Sequence, residues 1–234
     1  MAGGDDPAAC PVPVERAAMV QWWDDLTFLH WRYEPEDVQR LLPPGLEVEV
    51  ADGSGWVSLV PFFLRVGLPR VRPVPWVSRF LETNVRTYVR TADGTPAIWF
   101  FSLDAARLGA VLVARATYRI PYFWADLRRE VDGPVRRYEC RRRWPEPRGA
   151  RSLVEVEVGI PHRPEELTEL DHFLTARWAL VSAPRSGLHV ARAQHDPWPL
   201  HHVDVRTVDD ELLTAAGLPP PAGTPLAHWS PSVE

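Results

Sequence analysis

Residues 82–89 alternate strictly, with Glu82, Asn84, Arg86 and Tyr88 on one side of an extended chain and Thr83, Val85, Thr87 and Val89 on the other. The pattern predicts a strand with one polar face. Such a face is either the wet side of an antiparallel sheet or the polar floor of a pocket. Residues 91–96 read as a hairpin turn around Asp93 and Gly94, and 97–103 are apolar on both faces, which predicts a return strand buried on both sides. A strand of that kind sits badly beside a fully solvated neighbour, so the pocket is the favoured reading.

The same reasoning extends along the chain. Residues 21–33 carry aromatics on both parities and enter a core, first as a turn and then as a strand. Residues 34–42 form a short helix with Pro35 in its first turn, stopped by Pro43, Pro44 and Gly45. Residues 46–50 and 56–64 read as a hairpin joined at 52–55, and the Pro- and Arg-rich stretch 69–75 as an extended loop that lies over the site as a lid. Asp104 caps a helix to about residue 116, with Leu108, Val111 and Leu112 at helical spacing. Residues 163–174 give the clearest helix; strands follow at 178–181 and 188–194, and the tail from Gly217 is expected to run extended over the surface, anchored by Trp229. Residues 1–18 read as a flexible leader and 19–234 as one domain.

Composition narrows the function. A net charge of -5 gives no attraction to nucleic acid or anionic membrane, and no stretch approaches a membrane span. Nine arginines crowd residues 128–151, but Glu130, Asp132, Glu139 and Glu146 interleave with them, and 153–158 can pair beside 135–143 as a solvated, charge-matched face. The chain contains no lysine, so no side-chain amine is available for Schiff-base chemistry. Cys10 and Cys140 make neither a disulfide framework nor a zinc spacing, and the acidic start lacks the features of a secretory signal, so a cytoplasmic protein is expected. Eleven Trp and 25 Pro favour an irregular β-rich fold.

The candidate chemistry lies on the polar face. Arg86 can hold a carboxylate or enolate, Glu82 can move a proton, and Asn84 and Tyr88 share their side of the strand; a self-satisfied structural network is the competing reading. Asp104 is a ligand-binding candidate as well as a cap. His195 and Trp198 lie in a Pro-fixed turn that can close one end of a cavity. His201 and His202 precede Asp204, but adjacent strand residues point to opposite faces and no HExxH or CxxC accompanies them, so no metal is expected. No nucleotide, nicotinamide or serine-hydrolase fingerprint occurs, and no cofactor is expected.

Several separated stretches together carry a family resemblance. They are Phe28-Leu29-His30-Trp31, Leu41-Leu42-Pro43-Pro44-Gly45, Trp56-Val57-Ser58-Leu59-Val60-Pro61-Phe62, residues 82–89, Phe100-Phe101-Ser102-Leu103-Asp104, His195-Asp196-Pro197-Trp198 and His228-Trp229-Ser230-Pro231. They resemble the YqjF-like bacterial family, which is similar to the acetoacetate decarboxylase-like superfamily. The resemblance implies an α+β, mainly β fold: a twisted antiparallel sheet or barrel around an internal cavity, with a few peripheral helices. The stretch 115–121 resembles the signature before the catalytic lysines of the decarboxylases, whose positions fall on Tyr122 and Phe123; a cavity acid matches Glu82, and a second acid has no counterpart beyond Ser58 in 56–62. The resemblance thus implies a small-molecule cavity in which Tyr122 replaces the lysine as a hydrogen-bond donor, with proton transfer on a small oxo or carboxylic acid in place of decarboxylation. A non-catalytic ligand-binding or sensor protein, a module with a filled cavity, and a homo-oligomer all stay open.

Overall fold

The computed structural model describes residues 9–67, 69, 78–117, 120–184 and 186–234. The chain enters on β1 (Val20–Tyr33), turns through α1 (Pro35–Gln39) and continues along β2 (Leu46–Val48), β3 (Val50–Ala51) and β4 (Ser54–Gly67). β5 (Arg79–Thr91) and β6 (Pro96–Ala105) form the expected hairpin, and Gly94 takes φ 83° in its turn, a conformation that suits glycine. α2 (Leu108–Thr117), β7 (Tyr122–Asp132), β8 (Val135–Trp144) and β9 (Arg151–Pro161) follow. After a 3-10 turn (Pro164–Glu166) come α3 (Glu169–Thr175), β10 (Ala179–Ser182), β11 (His189–Arg192), β12 (His201–Asp210), α4 (Leu212–Ala215) and β13 (Leu226–Val233). No helix among the described residues is long and apolar enough to cross a membrane.

All thirteen strands belong to one sheet, and nine close into a ring in the order β5-β6-β7-β8-β9-β12-β13-β1-β4 and back to β5. Closure pairs the edges that an open sheet would leave free. Most neighbours are antiparallel. β6 runs parallel to both β10 and β7, which share one of its edges: Ile98 and Trp99 meet β10, while Leu103, Asp104 and Ala105 meet β7.

The two faces of this sheet bury different things. Odd positions of β1, β4 and β5, among them Leu29, Trp31, Val57, Leu59 and Val85, join Tyr138, Cys140, Val154, Val156, Leu212 and Leu213 in one core. This is the inside of the ring, because Thr27 on β1 meets Tyr138 on β8, a strand that is not its neighbour in the sheet. Asp25, at φ 50°, marks a bulge in β1; its carbonyl accepts the Tyr138 hydroxyl at 2.7 Å, and its carboxylate takes Arg136 and Trp229 Nε1, each at 2.8 Å. Even positions of β1 and β4, including Leu26, Phe28, Val60 and Phe62, face the other way into a second core. Val111 of α2, Leu167, Trp198 and Leu200 lie over that core. Leu174 of α3 closes against Tyr88 and Trp56 beside it.

Several sequence expectations change. Residues 20–33 are strand throughout, without an initial turn. Only β3 of the 46–50 stretch pairs with β4; β2 swings across to pair with β5. Asp104 is no helix cap but the penultimate residue of β6, and α2 starts at Leu108 with Val111 buried and Leu108 and Leu112 exposed. The helix expected at 163–174 is broken, because Thr168 caps α3 afresh: its hydroxyl accepts the Asp171 backbone N–H while Asp171 accepts the Thr168 N–H at 2.7 Å. The tail is not a surface strap, since β13 fills the place between β12 and β1. The arginine-rich face is charge-matched as expected at Arg137 and Glu155, at 3.1 Å, but Arg142 is 1% exposed. The stretch 70–75 of the anticipated lid lies outside the described residues. In the leader, Val14 N–H is tied to Gln194 Oε1 at 2.7 Å.

Candidate functional site

Register decides which side chains meet. Because His30 pairs with Ser58, Ser58 with Arg86, Val60 with Asn84 and Phe62 with Glu82, the polar row of β5 shares one face with even residues of β4 and β1. Phe28 pairs with His228 and Leu26 with Ser230, which brings β13 onto the same face. Glu82, Asn84, Arg86 and Tyr88 are all buried there. Tyr122 on β7 reaches this face too: its hydroxyl donates to Glu82 Oε2 at 2.9 Å.

At one end of the row lies a fully buried relay. Tyr88 donates its hydroxyl to the Leu174 carbonyl at 2.7 Å, so the 2.7 Å contact with Ser58 Oγ uses the serine proton. Ser58 must then accept from His30 Nδ1, 2.6 Å away, which fixes the Nδ1–H tautomer and leaves His30 Nε2 bare. Burial, with His228 and Arg86 nearby, holds the His30 pKa well below its usual value, so the ring is neutral. His228 Nε2 donates to Asp171 Oδ1 at 3.0 Å. Burial would push Asp171 up, but hydrogen bonds from His228 and Thr168 outweigh it and hold the carboxyl well below the usual range.

At the other end, burial pushes the Glu82 carboxyl up to about 8, against the lowering effect of the Tyr122 hydrogen bond. Near neutrality Glu82 therefore holds its proton and can release it with little driving force. Burial and the neighbouring Glu82 raise Tyr122 well above 10, so the phenol remains a donor.

Arg86 lies between these ends. It is 8% exposed; Nη2 donates to the Leu174 carbonyl at 3.2 Å, and the guanidinium stands 5.1 Å from the Phe28 ring centroid. No carboxylate lies within 4.0 Å of it among the described residues. Nε has no partner there either, nor do Asn84 Oδ1, His30 Nε2 and Ser230 Oγ on the same face. Buried polar groups ordinarily find partners, so four unmet atoms on one face mark a place built to receive something polar.

The remaining candidates divide. Trp198 stands edge-on to Phe28 at 5.3 Å and donates Nε1 to the Thr175 carbonyl at 3.0 Å, so it covers the Arg86 region. His195 stacks between Trp178 and Trp198, at 4.3 and 4.9 Å, one layer farther out. Asp104 is not part of this face. It points into the ring, where Arg142 donates to both of its carboxylate oxygens at 2.7 Å and lies over Phe123. His30, His228 and Asp171 are the residues that reading along the chain did not single out as chemistry. The two histidines sat inside aromatic motifs, and only cross-strand register puts them beside Ser58 and Tyr88. No group of three metal-ligating side chains lies on this face among the described residues; the one such cluster they contain, His162, Glu166 and His202, lies beyond Asp171 and His228.

This arrangement has relatives. The chain is 34% identical over 213 residues to the uncharacterized protein YqjF of Bacillus subtilis (strain 168), covering 91% of this chain and 87% of the relative. Its fold is similar to an acetoacetate decarboxylase-like enzyme from Sphingomonas wittichii RW1, with a TM-score of 0.61 at 14% identity over 92% of this chain and 89% of that one. It is similar as well to the enduracididine biosynthesis enzyme MppR in complex with pyruvate, at TM-score 0.57 and 13% identity over 95% and 89% of the two chains. Acetoacetate decarboxylase from Legionella pneumophila matches at TM-score 0.57 and 9% identity, over 98% and 91%. Residues 20–234 match the DUF2071 family, described as an uncharacterized conserved protein, and with the resemblance to YqjF this shows that the chain belongs to that family and carries the acetoacetate decarboxylase-like fold.

Proposed function

We propose that the polar face of β5 binds a small oxo or carboxylic acid, with Arg86 holding its anionic group and the Glu82–Tyr122 pair exchanging a proton with it. The observation that carries this reading is the buried Arg86 guanidinium, which has no carboxylate partner among the described residues. An uncompensated buried cation is strongly unfavourable, and an anionic ligand relieves it. Glu82 and Arg86 are four residues apart on one strand, about 13 Å between Cα atoms, so a small acid between them would lie over Asn84. Pyruvate in the structural relative MppR supports the ligand class.

On this reading the carboxylate form of Glu82 takes a proton from the carbon beside the carbonyl, Tyr122 donates a hydrogen bond, and Arg86 offsets the enolate charge. Returning the proton to the carbonyl oxygen completes an enolisation, returning it to another carbon an isomerisation, and delivering it to a β-hydroxyl group as its C–O bond breaks a dehydration that releases water. Without lysine there is no side-chain iminium to take up electrons from a departing carboxylate, so Schiff-base decarboxylation is not the proposed reaction. The unit that acts is the domain 19–234, working in the cytoplasm.

A second reading is a sensor that binds the acid without turnover. Leu174 and Trp198 close tightly over the face, so a ligand entering it must displace α3 or the 195–200 turn, and that displacement is itself a signal.

A thermal-shift screen of the purified protein against pyruvate and short keto, hydroxy and unsaturated acids tests both. A ligand at ~100 times its Kd adds about 2.7 kcal/mol of stability. The shift is expected in the parent and in Glu82→Gln and to be lost in Arg86→Lys and Arg86→Gln. Turnover lost in Glu82→Gln with binding kept identifies the enzyme; binding with no turnover in the parent identifies the sensor. A silent panel sinks both and leaves the row as a filled, structural network.

A further inference from the structure

The side of the molecule beyond Asp171 carries a second constellation. His202 on β12, His162 just after β9 and Glu166 at the end of the 3-10 turn gather within one ligand shell: one donor atom of each lies within 4.8 Å of the other two. Glu166 Oε2 stands 3.6 Å from His202 Nε2 and 4.0 Å from His162 Nδ1. Four ligands placed tetrahedrally at ~2.0–2.1 Å from one ion are about 3.3 Å apart, so the two Glu166 separations exceed those of a coordination sphere by about 0.3 and about 0.7 Å, and the side chains have to draw in around an ion.

The fold builds this cluster. A register shift between His201 and Val203 turns His202 outward while His201 packs edge-on against Trp229. The β9 backbone comes close beneath it, since a Cβ added at Gly159 would meet His202 Cβ and its carbonyl oxygen at 3.3 Å. His162 N–H is pinned to the Leu200 carbonyl at 2.9 Å. The Glu166 carboxylate is oriented by Arg163, whose Nε donates to Oε1 at 2.8 Å and whose backbone N–H donates to Oε2 at 2.9 Å, leaving a lone pair of Oε2 for a ligand.

Two observations point to an occupant. His162 Nδ1 is buried and has no hydrogen-bond partner among the described residues. A cavity of about 320 Å3 adjoins the cluster, lined by His162, His202, Asp171, Asp204 and His228, and His228, 2% exposed with its Nε2 held by Asp171, also has an unmet Nδ1. We infer that His162, His202 and Glu166 form a binding site for a divalent transition-metal ion of the zinc class, with an open coordination position toward the cavity and His228. Two imidazoles and one carboxylate suit Zn2+, and three protein ligands leave room for water or a small ligand. The His162 and His202 rings, 3.6 Å apart, have to fan open as the ion enters, because imidazoles sharing a tetrahedral ion stand roughly 5 Å apart between centroids.

The test uses the full chain without an affinity tag. Calorimetric titration with Zn2+ is expected to give one site per chain, and Co2+ the intense visible bands of a low-coordinate site. His202→Ala, at a half-exposed position where folding should survive, is expected to weaken Zn2+ binding by at least about 10-fold, the range that even partners outside the ligand shell command. His201→Ala, one residue away and turned to the other face, is expected to leave it unchanged. No stoichiometric Zn2+ binding by the parent, or equal weakening by His201→Ala and His202→Ala, overturns the assignment. The site stands apart from Arg86, so its loss and the loss of acid binding are separate results.

Discussion

Two acids on neighbouring strands are buried within one residue of each other in register and have opposite surroundings. Glu82 pairs with Ala105 and Thr83 with Asp104, so Glu82 points out of the ring and Asp104 into it. Asp104 is 0% exposed, and the Arg142 guanidinium takes both its oxygens; burial pushes its carboxyl up, and the hydrogen bonds and charge of Arg142 oppose that. Glu82 is as deeply buried, yet only a phenol donates to it among the described residues. Arg86, the guanidinium on Glu82's own face, lies too far along the strand to pair with it. The inner acid and base are matched to each other, and the outer acid and base are both left over. A matched pair holds a fold together; an unmatched acid and base on one buried face are what a ligand can use.

The sharpest way to break this comparison is to unmatch the inner pair. Arg142→Ala should cost about 3–5 kcal/mol in urea denaturation, and Asp104→Leu combined with Arg142→Met should recover most of it. A single-variant loss under about 1 kcal/mol would mean that the inner acid is not held by its arginine.

The next effect is one of pH. The folded-state pKa of Glu82, about 8, lies above the unfolded value of 4.5, so between those limits the folded chain binds more protons than the unfolded one. The contribution is fully present below pH 4.5 and is lost as pH rises through 8. The difference in unfolding free energy between the parent and Glu82→Gln should therefore fall with pH across this window, by at most about 1.4 kcal/mol per pH unit. A flat difference would place Glu82 among ordinary exposed carboxylates.

Tyr122→Phe should cost about 1–2 kcal/mol, because the buried carboxyl loses its donor. It should also move the carboxyl titration, followed by infrared difference spectroscopy, further up. A downward move would show that another group supports the charge. The smallest effect belongs to the wet face: Arg137→Ala, which removes a partly exposed partner of Glu155, should change stability by no more than about 0.5 kcal/mol. A larger loss would blur the distinction between matched charges in water and matched charges in the core.

Much of the scaffold was legible along the chain. Strict alternation at 82–89, the Asp93-Gly94 turn and the apolar return strand carry their instructions locally, and the structure places that hairpin where the pattern puts it. The helix at 163–174 failed because a good cap at Thr168 restarts the chain within an apparently continuous amphipathic pattern. β13 was missed because its buried face is polar: His228 and Ser230 sit where a half-buried strand would carry Val or Ile. Arg142 looked like its eight companions in the arginine run, since nothing in its neighbours in sequence says that Asp104, 38 residues away, waits for it.

The sequence by itself determined the 82–103 hairpin, the short helix after Tyr33, the mainly β class, the absence of an amine nucleophile and the polar side of β5, because periodicity, turn chemistry and residue inventory act over a few residues. Only the tertiary structure decided that Asp104 turns inward while Glu82 turns out, that His30 and His228 join Ser58, Tyr88 and Asp171, and that His162, Glu166 and His202 meet. Those outcomes depend on cross-strand register and on which face of a closed ring is covered, and both are set by contacts between segments far apart in the chain.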